Sequence, residues 1–433
     1  MIRSCTALAI LLSATVAQAA LPSASPAELH ATIATLVGFG TRHSLSSPTD
    51  PVRGIGAARA WAAARFAEIS KDCGGCLEVE KVADRFTGPR APNGVEIVDV
   101  LAIRKGTTDP SRVIILSAHI DSRVTDIMNA TSDAPGANDD GSGSALVIEA
   151  ARILSREAHG ATIIFALLSG EEQGLYGGQL LARTAKVRNW QVTALINNDI
   201  VGNSHGIGGA HIDTRVRVFS EGIRASESLD EARIRRGNGG EDDGPSRALA
   251  KYVDRIGAAA HTGLEVIAIR RPDRFGRGGD HLPSLDMGFP AVRITEATEN
   301  YDHQHQDLRT ENGRVYGDTI DGVDFRYLAK VANLNIATAR ALALAPPAPA
   351  TAALAGAVTA DTTVSWAPVP EAAAYRIYWR RADGMDWTQH RDTKDKTMLL
   401  KNINIDDNFF GVAALGPHGE ESLITFAGAP ARK

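Results

Sequence analysis

The chain has 433 residues and carries 46 Lys and Arg against 51 Asp and Glu, a formal net charge of −5. So mild an acidic balance excludes the basic field that holds nucleic acid or an anionic membrane surface. With 44% hydrophobic and 22% charged residues the composition is that of a globular protein. The length allows two or three domains, and three cysteines cannot build a disulfide-dense scaffold.

In chain order, Arg3, the apolar run 7–17 and Ala17-Gln18-Ala19 form the three parts of an export signal, so residues 1–19 are read as a signal peptide. The mature protein is expected outside the cytoplasm, in a periplasm or the extracellular medium. No other apolar stretch is long enough to span a bilayer, so no stable membrane insertion is expected. Ser25-Pro26-Ala27-Glu28 marks the start of a helix running to about Leu36. A second helix, 57–69, leads into Cys73-Gly74-Gly75-Cys76. In an oxidising compartment this pair is expected to close as a disulfide stapling the turn; a functional thiol pair is the other reading. No second cysteine pair exists to complete a structural zinc site.

Strands are then predicted at 95–103, 113–118, 162–168, 192–197, 266–269 and 291–294, with helices at 144–154, 246–253 and 325–344. Continuously apolar strands alternating with helices imply an α/β domain over 20–344: a mainly parallel mixed sheet with helices on both faces. Residues 345–350, Ala-Pro-Pro-Ala-Pro-Ala, form a semi-rigid linker. Beyond it, over 351–433, the pattern changes to period two at 363–366, 375–379 and 408–414, which predicts a C-terminal all-β sandwich. Trp366, the Tyr375-x-Ile377 alternation and Phe410-x-Val412 followed by Gly416-Pro417-His418-Gly419 resemble a fibronectin type III domain. Its outer face is a candidate surface for a cell-surface or polymer partner.

The residues that carry chemistry sit where the apolar strands end, the place where ligands collect in open α/β sheets. His119-Ile120-Asp121 follows the 113–118 strand, and Asn138-Asp139-Asp140-Gly141-Ser142-Gly143 opens the next helix. Glu171-Glu172 follows the 162–168 strand, Asn198-Asp199 the 192–197 strand, and His303-Gln304-His305 lies further on. Any one of these has an ordinary explanation, a helix cap or a solvated turn. Adjacent acids directly after buried strands are costly to leave unpaired, and several such costs at one sheet edge are best relieved by bound cations. Imidazole and carboxylate donors together suit zinc.

In this order the residues resemble the co-catalytic dizinc aminopeptidases, an exopeptidase group that also includes glutamate carboxypeptidases and glutaminyl cyclases; the resemblance covers about 95–344. It implies two Zn²⁺ per chain, held by His119, Asp139 as the bridge, Glu172, Asp199 and a final histidine. That histidine is expected at His303, with His305 as the alternative, because Asp307 stands four residues beyond His303. It further implies Glu171 as general acid/base, Asp121 as the carboxylate orienting His119, a cis Asp139–Asp140 peptide, and Tyr301 as the nearest candidate oxyanion donor. His281 is not expected to be a ligand. The implied activity is removal of N-terminal residues from peptide substrates. The competing readings are a carboxypeptidase, a glutaminyl cyclase, or a non-catalytic binding protein on the same fold. Arg235, Arg236, Arg270 and Arg271 are the charges that could grip a terminal carboxylate, although solvated loop positions explain them as well.

Overall fold

A computed structural model describes residues 22–428. The expected signal peptide lies outside the described residues. Among the described residues no helix is long and apolar enough to cross a membrane.

Helices α1 (Pro26–Gly38) and α2 (Ile55–Asp72) precede strands β1 (Glu78–Gly88), β2 (Ala91–Arg104) and β3 (Asp109–His119). There follow α3 (Gly141–Leu154), β4 (Ala161–Leu168), α4 (Tyr176–Val187), β5 (Gln191–Asn198), β6 (Arg215–Phe219), α5 (Leu229–Asn238), α6 (Pro245–Ala259), β7 (Glu265–Ile269), α7 (Leu282–Asp286) and β8 (Ala291–Glu296). A small hairpin, β9 (Arg309–Glu311) and β10 (Arg314–Tyr316), comes before the long helix α8 (Phe325–Leu344).

Eight strands form one sheet in the order β1-β2-β4-β3-β5-β8-β6-β7. The central β4-β3-β5-β8 block is parallel, as is β6 with β7; β1–β2, β2–β4 and β6–β8 are antiparallel. The parallel block is apolar on both faces, as strands covered on both sides must be. Along β3, Ile114, Leu116 and Ala118 join the core formed with α1, α3 and α8, while Val113 and Ile115 face the core formed with α4 and α7. Helix α3 is buried along nearly its whole length. Its first turn fits only because Gly143 has no side chain: a Cβ there would lie 2.4 Å from the Asn198 carbonyl oxygen.

The Cys73–Cys76 pair is a disulfide at the C-terminal end of α2, with the Cα atoms 5.6 Å apart. The bond closes so short a loop that it removes little unfolded-state entropy, about 2 kcal/mol at most on the chain-entropy account. Reduction is therefore expected to lower the unfolding free energy measured in urea by no more than that amount and to leave the protein's function unchanged. A large loss of activity on reduction would favour the functional-thiol reading.

The C-terminal strands are β11 (Ala352–Ala355), β12 (Thr362–Trp366), β13 (Ala374–Arg381), β14 (Gln389–Thr393), β15 (Thr397–Leu400), β16 (Asn408–Leu415) and β17 (Thr425–Ala427). They form antiparallel sheets of three and four strands around Val364, Trp366, Ile377, Phe410 and Val412. This unit is docked onto the α/β part. Arg380 on β13 is ion-paired with Asp243, which also receives Lys251 of α6; the Arg380 and Asp243 side chains are only 3% and 4% exposed. Arg255 reaches Glu421 and the Tyr378 hydroxyl, and the Tyr252 hydroxyl donates to the Glu421 carbonyl.

Candidate active site

Strands β3, β4 and β5 lie side by side and parallel, so their C-terminal ends bring His119, the Glu171–Glu172 loop and Asp199 to one edge. Asp139 arrives from the N-terminus of α3. The Asp139–Asp140 peptide is cis. The Asp140 side chain caps α3 by accepting from Gly143 N, and it also accepts from His119 N.

Two groups of potential ligand atoms result. His119, Glu171 and Asp199 form one, and Asp139, Glu172 and His305 the other. Asp139 joins them: its Oδ1 is 3.2 Å from His119 Nε2, and its Oδ2 is 2.9 Å from His305 Nε2. Asp199 Oδ1 is 4.0 Å from His119 Nε2, and Glu172 Oε1 is 3.0 Å from His305 Nε2. Glu172, Asp139 and Asp199 are buried, whereas Glu171 retains exposure to the cleft.

The structure corrects the expectation for the final histidine. His305, not His303, enters the cluster. His303 turns away and lies against Gly322, its Nδ1 3.2 Å from where a Cβ would be. The cause is backbone conformation: His305 has φ 52°, a left-handed residue that aims its side chain inward from an irregular loop. Tyr301 is 57% exposed and does not line the cleft. His281 is buried away from the cluster, its Nε2 against the Pro272 carbonyl oxygen. Of the arginines weighed for carboxylate binding, Arg235 pairs with Glu227 and Glu241, and Arg270 with Asp242.

Asp121 has a broader part than orienting one ring. His119 Nδ1 lies 3.1 Å from the Asp121 carbonyl oxygen and 3.5 Å from its carboxylate. That carboxylate also accepts the backbone N–H groups of Glu171 and Glu172 and the Ser44 hydroxyl. It therefore ties the histidine to the glutamate loop.

Three supporting residues were not anticipated. Arg123 donates to Glu172 Oε2 at 2.8 Å and reaches His305 Nδ1 at 2.6 Å. Arg293, fully buried in β8, pairs with Asp199 at 2.9 Å. Asp318 accepts the backbone N–H groups of Asn138 and Asp139, fixing the turn that carries Asp139. Arg293 had a legible signal: a cation inside an otherwise apolar strand has to be paired.

Acids outnumber bases here, and the local fields show it. Burial raises the Glu171 carboxyl well above its usual value, with the charges of Glu172 and Asp199 adding to the effect and His119 opposing it. Burial raises Asp199 to about 6, with Arg293 holding it back. Against its own burial, His305 is pushed up to about 10 by Glu172 and Asp139. Against its burial, Glu172 is drawn down to about 2, chiefly by His305. His119 Nε2 and Glu172 Oε1 are buried yet make no hydrogen bond. Inward-facing donor atoms without hydrogens to share, in a surplus of negative charge, fit divalent cations.

The comparisons agree with this chemistry. The model of peptidase family M28 matches residues 99–318, a span that contains every residue of the cluster. A protein named probable zinc metalloprotease from Leptosphaeria maculans is 43% identical over 421 residues, covering 94% of this chain and 96% of its own. A protein of the same name from Pyricularia oryzae is 42% identical over 423 residues, covering 94% and 83%. The fold is similar to that of the Legionella pneumophila LapA aminopeptidase, with TM-score 0.52 at 20% identity over 73% of this chain and 70% of that one. It is equally similar to Porphyromonas gingivalis glutaminyl cyclase, with TM-score 0.52 at 19% identity over 73% and 98%. The chain belongs to peptidase family M28.

Proposed function

We propose that this protein is an exported zinc-dependent aminopeptidase. The observation that carries the reading is the pair of ligand groups joined through Asp139, with the partly exposed Glu171 beside them. One zinc would be held by His119, Asp139 and Asp199, the other by Asp139, Glu172 and His305. Bound there, zinc supplies Lewis acidity and lowers the pKa of water towards neutrality.

Glu171 is the proton carrier. It lies beside the ligand groups yet keeps exposure to the cleft, the position from which a carboxylate accepts a proton from water and later returns it to the leaving amine. Asp121 holds the Glu171–Glu172 backbone, and Arg123 and Arg293 fix Glu172 and Asp199. The cleft above them is about 360 Å³, towards the lower end of the range for small-molecule sites. The disulfide supports an oxidising compartment.

Metal content and hydrolysis of aminoacyl-arylamides by the purified protein test the reading. About two zincs per chain are expected, with hydrolysis abolished by chelation and restored by zinc. Zinc without aminopeptidase activity would contradict it and favour a cyclase or carboxypeptidase. The two histidines give a second expected outcome. His305→Ala is expected to lose one of the two zincs and most activity, and His303→Ala to keep both zincs. Equal zinc loss in both variants would contradict the assignment.

A further inference from the structure

The floor of the cleft is acidic, but its walls are not. Arg90, Arg123, Arg274 and Arg277 all line it. Arg274 and Arg277 come from the loop between β7 and α7, and their positive charge is incompletely matched. Glu299 is shared by three guanidiniums: Arg217 at 2.7 Å, Arg277 at 2.7 Å and Arg274 at 3.5 Å. Asp273 is shared by Arg274 at 3.1 Å and Arg293 at 3.3 Å. The Arg274 side chain is 10% exposed, and its Nη1 is buried without a hydrogen-bond partner. Arg277 is a third exposed, and its Nη2 has only a long contact, 3.4 Å, with Gln304. The remaining carboxylates facing the cleft are Glu171 and the zinc ligands assigned above. A partly exposed guanidinium at the mouth of a cleft, one of whose terminal nitrogens makes only a long hydrogen bond, backed by a second with a buried nitrogen that makes none, is matched by a planar carboxylate.

We propose that Arg277, backed by Arg274, is a specificity-determining carboxylate subsite, so that the cleft selects substrates bearing a carboxylate close to the scissile bond. The proposal rests on the exopeptidase reading for the identity of the substrate as a peptide. The carboxylate comes either from an acidic first side chain or from the terminus of a very short peptide; both present the same group to Arg277.

The test is calorimetric binding to the full-length, zinc-loaded Glu171→Gln protein, with cleavage by the wild type measured in parallel. Glu-Ala-Ala-amide against Gln-Ala-Ala-amide probes the side-chain source, and Ala-Ala against Ala-Ala-amide the terminal source. In at least one pair the acid is expected to bind roughly tenfold more tightly than its neutral twin. That ratio should fall towards one when Arg277→Gln is added, and Arg277→Lys should keep more of it than Arg277→Gln does. Ratios near one in both pairs, or a ratio that survives Arg277→Gln, would overturn the subsite. Acid-selective binding without cleavage by the wild type would uphold the subsite and overturn the aminopeptidase reading. Cleavage without acid selectivity would do the reverse.

Discussion

Glu171→Gln is expected to lower kcat roughly 10²–10⁴-fold, the usual contribution of a positioned general acid/base. Both zincs and the thermal transition should be retained. The isosteric amide preserves the shape of the side chain but can neither accept the proton from water nor pass it on. The geometry makes this a sharp test, because Glu171 also lies within reach of His119 and Asp199 and could in principle be a ligand itself. What separates the roles is that Asp139 already spans the His119 and His305 sides, while Glu171 alone among the acids of the cluster keeps exposure to the cleft. Loss of a zinc together with activity in Glu171→Gln would make it a ligand and leave the proton carrier unassigned.

The second large effect is expected far from the chemistry, at the junction with the C-terminal sheets. Arg380→Met is expected to destabilise the protein by about 3–5 kcal/mol, because it removes one of the two cations paired with a buried carboxylate. Asp243 would keep Lys251 alone, which places the effect near the lower end of that range. Removing both charges together, as Arg380→Met with Asp243→Leu, should recover most of the loss, since a well-packed apolar pair avoids the desolvation cost of burying two ions. Urea denaturation of the two variants and the parent measures this. If Arg380→Met unfolds at the parental midpoint, the C-terminal unit is not an integral part of the folded body. If it unfolds early, that unit is structural support for the α/β part whatever its outer face binds.

The fold was legible where burial imposes a pattern. The strands of the parallel block are largely apolar and helix α8 keeps an apolar face along its 20 residues, and their positions follow from that. Strand β1 is not legible in the sequence because it is an edge strand with most side chains in water, so its pattern is that of a polar loop. Strand β6 is short and carries two arginines, and α5 has no buried face. The cluster was legible for a related reason: carboxylates and histidine directly after buried strands stand out against the apolar runs. The choice between His303 and His305 was not legible. Both sit in an irregular loop, where neither helical nor strand periodicity says which way a side chain points, and a single left-handed residue reverses the answer. Arg123 is not legible because its partners Glu172 and His305 are distant in sequence, and although Arg293 stands out as a cation in an apolar strand, only the folded sheet shows that Asp199 is its partner.

Anomalous diffraction at the zinc edge from crystals of the zinc-loaded protein locates the metals. Two peaks are expected on either side of the Asp139 carboxylate, one beside His119 and Asp199 and the other beside Glu172 and His305. A single peak, or a second peak at His303, would contradict a two-zinc centre joined through Asp139.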